Sequence, residues 1–509
     1  MGYLAGIDIG TSGTKTLIIT DAGEVVASAT VEYPLLTPRP GWAEQHPQDW
    51  WQASVDSLRQ AVVEAGISGT DIQGVGLSGQ MHGSVFLDEK GQVIRPALLW
   101  CDQRTGAQCD WINETAGESL VVEETSNPVL TGFTAPKIIW LRQKEPENYA
   151  KMTKCLLPKD YVRYRLTGEF HSEVSDASGT ALFNVKERRW STALLNKIDL
   201  DPSVLPEVHE SPVASAVISG EAAELMGLKP GTPVVGGGGD QAAGAVGNGI
   251  VSQGIVSSTL GTSGVLFAFL EEPLVDPELR THTFCHAVPG KWHVMGVMLS
   301  AGGSFRWIRD TLCGAERDVS ANLGQDPYVL MCEEAAAAPA GCEGLVFLPY
   351  LTGERTPYPD PAAKGVFYGL HLRHQRAHMI RAVMEGVAFG MKDSFDILDA
   401  MGVPMTQVRA SGGGARSPLW RQIQADVTGR THSVINVEEG PALGVALLAG
   451  VGTDAWGSVE EACEAAIDVV GSTEPIPENR DLYAKCHPIY QGLYRDLSSR
   501  FQETAKLFE

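Results

Sequence analysis

The sequence predicts an α/β protein built from two related lobes, residues 1–250 and 251–509. Three observations predict it. The tetrapeptide GTSG occurs twice, at residues 10–13 and 261–264. Each copy lies between two apolar runs of strand length, 4–9 and 16–20 around the first, 255–260 and 265–270 around the second. Strand-like and helix-like stretches then alternate through both halves, as layered α/β folds require. A glycine-bounded turn between two short apolar runs reads as a β-hairpin. Finding the same hairpin at the head of each half reads as an internal duplication.

The first hairpin is followed by a helix. Trp51, Val55, Leu58 and Val62 recur at helical spacing, and Gly66 suits its C-terminal stop. Residues 72–77 read as a buried strand. Residues 83–88 and 93–100 flank the turn 89–92 and read as a second hairpin. In the second half, residues 335–340 are a small-residue patch at a loop or helix edge. Two helices close it with clean starts, one after Ser417-Pro418 and one over 441–448 behind Gly440. The last helices are expected to reach back to the first lobe.

Composition narrows the function. At 43% hydrophobic and 20% charged, the chain buries large cores and is not disordered. Lys and Arg number 39 against 62 Asp and Glu, a net charge of -23. That charge repels nucleic acids and anionic membranes. A polyanionic ligand must then be met by backbone N–H groups and a bridging cation. The nine cysteines are scattered with no CxxC pair, so reduced thiols in a cytoplasmic protein are expected. Neither a signal peptide nor a membrane span is expected.

Five glycine-rich segments carry candidate chemistry. In residues 8–15 (DIGTSGTK) the loop brings N–H groups close to phosphates, Thr11, Ser12 and Thr14 add hydroxyls, and Lys15 adds charge. Asp8 on the incoming strand suits a hydrated Mg²⁺. The second GTSG, with Gly261 and Thr262, would clamp the polyphosphate from the other side. In GGGGDQAAG, residues 236–244, Asp240 stands at a strand end. It faces a substrate hydroxyl as a base, or else caps the following helix. In residues 411–418, Gly412 and Gly413 admit a flat ligand and Ser417 caps a helix, which suits adenosine. Residues 78–83 (SGQMHG) put Gln80, Met81 and His82 at a strand end, where open α/β sheets bind ligands.

Other patterns are weaker. The GxGxxG at Gly74, Gly76 and Gly79 is followed by a strand and not a helix, so a dinucleotide fingerprint is rejected. Asp102 and Arg104 either line the cleft or pair with each other. His371, His374 and His378 resemble metal ligands but straddle a helix start. Trp42, Trp50 and Trp51 stack on a sugar or pack a junction.

Together these segments resemble the FGGY family of carbohydrate kinases over nearly the whole chain. The resemblance is carried by residues 6–15, 133–140, 239–244, 260–264, 365–370 and 412–417. It implies two ribonuclease-H-like (actin-like ATPase) lobes with the active site in the cleft between them. The first lobe holds the sugar and one phosphate loop, and the second holds ATP. Residues 79–83, 156–161 and 175–180 look like those of bacterial members that phosphorylate D-xylulose at its terminal hydroxyl. By that resemblance Asp240 is the catalytic base, Asp8 places Mg²⁺–ATP, and Gln80, Met81, His82 and Gln241 line the sugar. Thr11, Ser12, Gly13, Lys15, Gly261 and Thr262 serve the phosphates, and Gly412, Gly413 and Ser417 the adenosine. Gln241 departs from the Asn frequent in that group and is shared with glycerol kinases. Glycerol, L-ribulose and gluconate therefore stay open as acceptors. An actin-like ATPase without an acceptor stays open as a different class. Oligomeric state is not fixed by sequence, and a homodimer is one option.

Overall fold

The computed structural model describes residues 2–508. Two seven-stranded sheets organise it. The first comprises β1 (Tyr3–Ile9), β2 (Gly13–Thr20), β3 (Val25–Glu32), β4 (Ile72–Gly79), β5 (Ala214–Val217), β6 (Pro233–Val235) and the short β7 (Gly238–Gly239). Its order is β5-β6-β4-β1-β2-β3, with β7 also on β4. The second comprises β8 (Gly254–Leu260), β9 (Gly264–Leu270), β10 (His282–Cys285), β11 (Trp292–Met298), β12 (Met405–Ser411), β13 (His432–Ile435) and β14 (Val469–Thr473). Its order is β10-β11-β9-β8-β12-β13-β14.

The two sheets repeat one plan. β1 and β8 each pair antiparallel with the next strand across a GTSG turn and parallel with a distant strand, β4 or β12. Those strands pair parallel with β6 and β13, which pair antiparallel with an edge strand. Pairing Asp8 with Ser78, and Thr259 with Ser411, puts the acid and its second-half counterpart at equivalent registers. The duplication inferred from eight residues therefore extends through both sheets.

The helices that bear on the site are α1 (Pro47–Ala65), α2 (Asp240–Gly247), α3 (Gly302–Leu312), α4 (Pro327–Ala336), α5 (Arg376–Ala400), α6 (Pro418–Thr428), α7 (Pro441–Gly452) and α8 (Pro477–Phe508). Gly66 ends α1 in the left-handed conformation, as its position predicts. The terminal helix α8 packs on α5 and α6, within the second half. It is α7 that reaches back, lying on β1 and β4 and against α2. Glycine makes that approach possible. A Cβ on Gly76 would sit 2.0 Å from the Val445 carbonyl oxygen, and one on Gly6 would sit 1.9 Å from that of Ala442. The GxGxxG spacing thus marks a helix–sheet contact.

The second hairpin forms in part. Residues 83–88 and 93–100 do turn back at Asp88, whose Oδ1 accepts the N–H groups of Lys90 and Gln92. They pair antiparallel at isolated bridges, Leu87 with Val93 and Ser84 with Leu98, and not as a continuous ladder. Val85–Leu87 pairs with Lys154–Leu156, and Ala97–Leu98 pairs with Glu44–Gln45. These short segments are buried, and the added pairing with distant strands covers their apolar faces. Among the described residues no helix is long and apolar enough to cross a membrane, and the cysteines are free.

Candidate active site

Asp240 opens α2 directly after β7, and Asp8 lies near the end of β1. Burial raises both carboxyls, Asp8 to about 6 and Asp240 to about 7. After burial, the charge of Asp8 is the second cause of the shift at Asp240, so the two acids lie within electrostatic reach of one another. Ser78 and Lys15 partly offset the shift of Asp8. Asp8 Oδ1 is buried and has no hydrogen-bond partner. Two partly desolvated acids with an orphaned oxygen are a site short of positive charge.

The backbone before Asp240 is held from below. Ser175 Oγ accepts the Gly239 N–H at 3.1 Å and donates to Glu173 Oε1 at 2.9 Å. Lys159 sits among Asp160, Glu173 and Asp176, at 2.5, 3.6 and 3.4 Å. That cluster is buried, and it fixes the turn that presents Asp240. A Cβ on Gly239 would fall 2.8 Å from Met81 Cγ, so Met81 lies directly against the chain leading into Asp240.

His82 follows Met81 with φ of 69°, a left-handed backbone unusual for a side-chain-bearing residue. Its carbonyl accepts from Lys137 Nζ at 2.8 Å and Thr134 Oγ1 at 3.1 Å. Its Nδ1–H donates to the Gly179 carbonyl at 2.6 Å. Burial, then Lys137 and Arg355, hold the imidazole neutral, its pKa lowered to about 3. Lys137 itself is buried and lowered to about 7. It sits in a segment that carries the family resemblance, but nothing in its sequence context distinguished it as the anchor of His82.

The first GTSG loop is braced by side chains. Gln80, 1% exposed, donates to Gln45 Oε1 at 3.0 Å and the Gly10 carbonyl at 3.3 Å, and accepts from Thr11 Oγ1 at 3.3 Å. Its amide is spent on the loop, so this residue, expected at the sugar, is a brace. Thr11 Oγ1 also accepts from Trp100 Nε1 at 3.0 Å. Lys15 is ion-paired with Glu439, just ahead of α7. Ser12 is exposed at the tip, and Gly13 begins β2.

The second loop is held mainly by backbone at its turn. The Gly302 and Gly303 N–H groups at the start of α3 donate to the Gly261 and Thr262 carbonyls, each at 2.9 Å, and Arg306 donates to Thr262 Oγ1. Two cavities flank the Gly412–Gly413 turn. One, of about 660 Å³, runs from Asp240 and Gln241 past Thr259 to Gly413. The other, of about 650 Å³, holds Gly261, Thr262, Ser417 and the aromatic walls Phe305 and Trp420. Ser417 caps α6 through the Trp420 N–H at 3.3 Å, as expected. The first cavity thus leads from Asp240 to the Gly412–Gly413 turn, and the second, on its other side, is an apolar slot suited to a flat base.

The weaker candidates resolve simply. Asp102 and Arg104 pair with each other. Trp50 and Trp51 are buried at the foot of α1, and Trp42 packs on Trp140 and Arg104. Nδ1 of His371, His374 and His378 each accepts a backbone N–H, which makes them turn and helix caps.

Comparison with known proteins decides the family. The profile of the FGGY family of carbohydrate kinases, N-terminal domain, matches residues 3–247, and that of its C-terminal domain matches residues 256–453. The chain belongs to the FGGY family of carbohydrate kinases. It is 37% identical over 509 residues to the xylulose kinase of Bacillus subtilis (strain 168), covering 99% of this chain and 100% of that protein. It is 42% identical over 447 residues to the xylulose kinase of Escherichia coli (strain K12), covering 88% and 89%. A crystal structure described as a xyloylose kinase from Brucella ovis superposes with a TM-score of 0.88 at 36% identity, covering 98% and 99%. The enzyme is thus a carbohydrate kinase, and its paired ribonuclease-H-like lobes form the actin-like ATPase fold of this family.

Proposed function

We propose that this FGGY kinase transfers the γ-phosphoryl group of ATP to the C5 hydroxyl of D-xylulose, giving D-xylulose 5-phosphate and ADP, with Mg²⁺ as its metal. The observation that carries the chemistry is Asp240, raised to about 7 and coupled to Asp8 at the end of a nucleotide-sized track. The relatives named xylulose kinases support the acceptor.

Asp240 orients the hydroxyl and accepts its proton as the O–P bond forms and the bond to the ADP oxygen breaks. A carboxylate near pKa 7 holds that proton far better than one at the usual value near 4. Met81 and His82 line the sugar beside it. The amides and hydroxyls at Thr11–Gly13 and Gly261–Thr262 face the phosphates, and Gly412, Gly413 and Ser417 border the adenosine. The residues fit a divalent cation, because Asp8 Oδ1 is unpartnered and the coupled acids lack a counter-charge. When bound by Asp8, Mg²⁺ neutralises charge on the transferring phosphoryl group. Lys15 reaches a phosphate only by leaving Glu439. Residues 1–250 form the sugar lobe and 251–509 the ATP lobe, in a cytoplasmic enzyme.

Gln241 lines the same cavity as Asp240, which keeps a second acceptor class in view. ADP release is therefore measured with Mg²⁺–ATP and D-xylulose, glycerol, L-ribulose or gluconate. Stimulation by D-xylulose well above the others is expected. Preferential stimulation by another acceptor overturns the substrate and leaves the phosphoryl chemistry. ATP hydrolysis unaffected by every acceptor overturns the role of Asp240 as an acceptor-facing base.

A further inference from the structure

His82, placed at the sugar in the proposed function, packs against residues from the second half that no sequence motif singled out. Strand β10 docks on the first half. Asn127 Nδ2 donates to the Thr283 carbonyl at 2.7 Å, and the Cys285 N–H donates to Ser178 Oγ at 3.2 Å. This brings His282 and Phe284 against His82 and Phe133 in one ring cluster, with centroid separations from 4.7 to 6.3 Å. The segment 354–356 lies alongside. Glu354 Oε1 accepts the Leu299 N–H, and Thr356 Oγ1 donates to the Arg280 carbonyl, two residues before His282.

Three polar groups in this corner lack partners of their own. Asn127 has both amide hydrogens committed to carbonyls, so its Oδ1 accepts from His282 Nδ1–H at 3.2 Å. His282 Nε2 then carries a lone pair; the residue is 3% exposed and this nitrogen has no partner. His82 gives its Nδ1–H to Gly179, which leaves its Nε2 with a lone pair as well. The Arg355 side chain makes no hydrogen bond and no close ion pair among the described residues, although burial penalises its charge. Half-buried and without a partner of its own, the guanidinium is free to donate to a ligand in this corner.

Order along the cleft gives the subsite its chemistry. Asp240 abuts Met81 through Gly239, Met81 precedes His82, His82 and His282 both pack on Phe284, and Thr356 ties the segment that carries Arg355 to Arg280, two residues before His282. Resting on the D-xylulose reading, we propose that Arg355 and His282 hold the end of the ketose remote from the reacting hydroxyl. Arg355 donates to the C2 carbonyl oxygen, and His282 Nε2 accepts from the C1 hydroxyl. The second half thus reads the substrate as a ketose, and the first half presents its far hydroxyl to Asp240.

The test is steady-state kinetics of Arg355→Met, Arg355→Lys and His282→Phe with D-xylulose, together with inhibition by xylitol, which has a hydroxyl where the ketose has its carbonyl. Arg355→Met should raise the KM for D-xylulose about 10- to 100-fold, as expected for losing a charged hydrogen bond. The KM for ATP should stay put, xylitol inhibition should change less, and Arg355→Lys should recover part of the loss. His282→Phe should raise the same KM with the melting temperature retained. An unchanged KM for D-xylulose in Arg355→Met, or equal weakening of sugar, xylitol and ATP, overturns the subsite. If the wild type uses no ketopentose, the D-xylulose reading falls separately. The subsite is then judged by the KM of the acceptor it does use, and no change in Arg355→Met overturns it.

Discussion

Two residues ahead of the first GTSG glycine stands Asp8, beside Ser78; at the same place in the second copy stands Thr259, beside Ser411. Thr259 Oγ1 meets Ser411 Oγ at 2.7 Å and is satisfied. Asp8 Oδ1 is buried and unpartnered, and its charge raises Asp240. The loops differ in support too. The first is braced by Gln80, Gln45 and Trp100 side chains, the second by N–H groups at the start of α3. One backbone plan therefore serves two purposes. The first copy concentrates unpaired negative charge that suits a cation, and the second offers a neutral cradle next to the apolar slot proposed for adenosine.

The sharpest way to break that contrast is to remove each residue in turn. Asp8→Ala should lower turnover about 10- to 100-fold and raise the Mg²⁺ requirement, as losses around metal sites do. Thr259→Ala should cost stability of about 1 kcal/mol, with the Mg²⁺ dependence unchanged. Magnesium titrations of both variants check this; equal effects would erase the division between the loops.

A smaller effect is expected at the brace. Gln80→Ala should lower kcat up to about 10-fold by letting the first loop shift, with the sugar KM nearly unaltered. A rise in sugar KM with ATP kinetics intact would instead return Gln80 to the sugar. The second turn is held mainly by backbone, so removing its side-chain contact in Arg306→Ala should do less.

Much of this contrast is legible in the sequence because it is local. A GTSG between apolar runs specifies both hairpins, Ser417-Pro418 specifies the start of α6, and four glycines ahead of Asp240 leave it at a strand end. What escaped is tertiary. Gly74 and Gly76 look like a nucleotide fingerprint, yet they are glycines because α7 lies on them from hundreds of residues away. Gln80 stands among polar residues that looked substrate-facing, and only the folded loop shows its amide consumed. His282 and Arg355 meet His82 through the docking of β10, which no periodicity encodes.

The most direct test of the coupled acids is kcat/KM for the sugar against pH at low Mg²⁺, in the wild type and in Asp8→Asn. Asp240 must be ionised to accept the proton, so activity should rise with pH through an apparent pKa near 7. Removing the Asp8 charge removes a cause that raises Asp240, so the rising limb should move to lower pH in Asp8→Asn. A limb that stays in place or moves to higher pH would contradict the coupling on which the site's account rests.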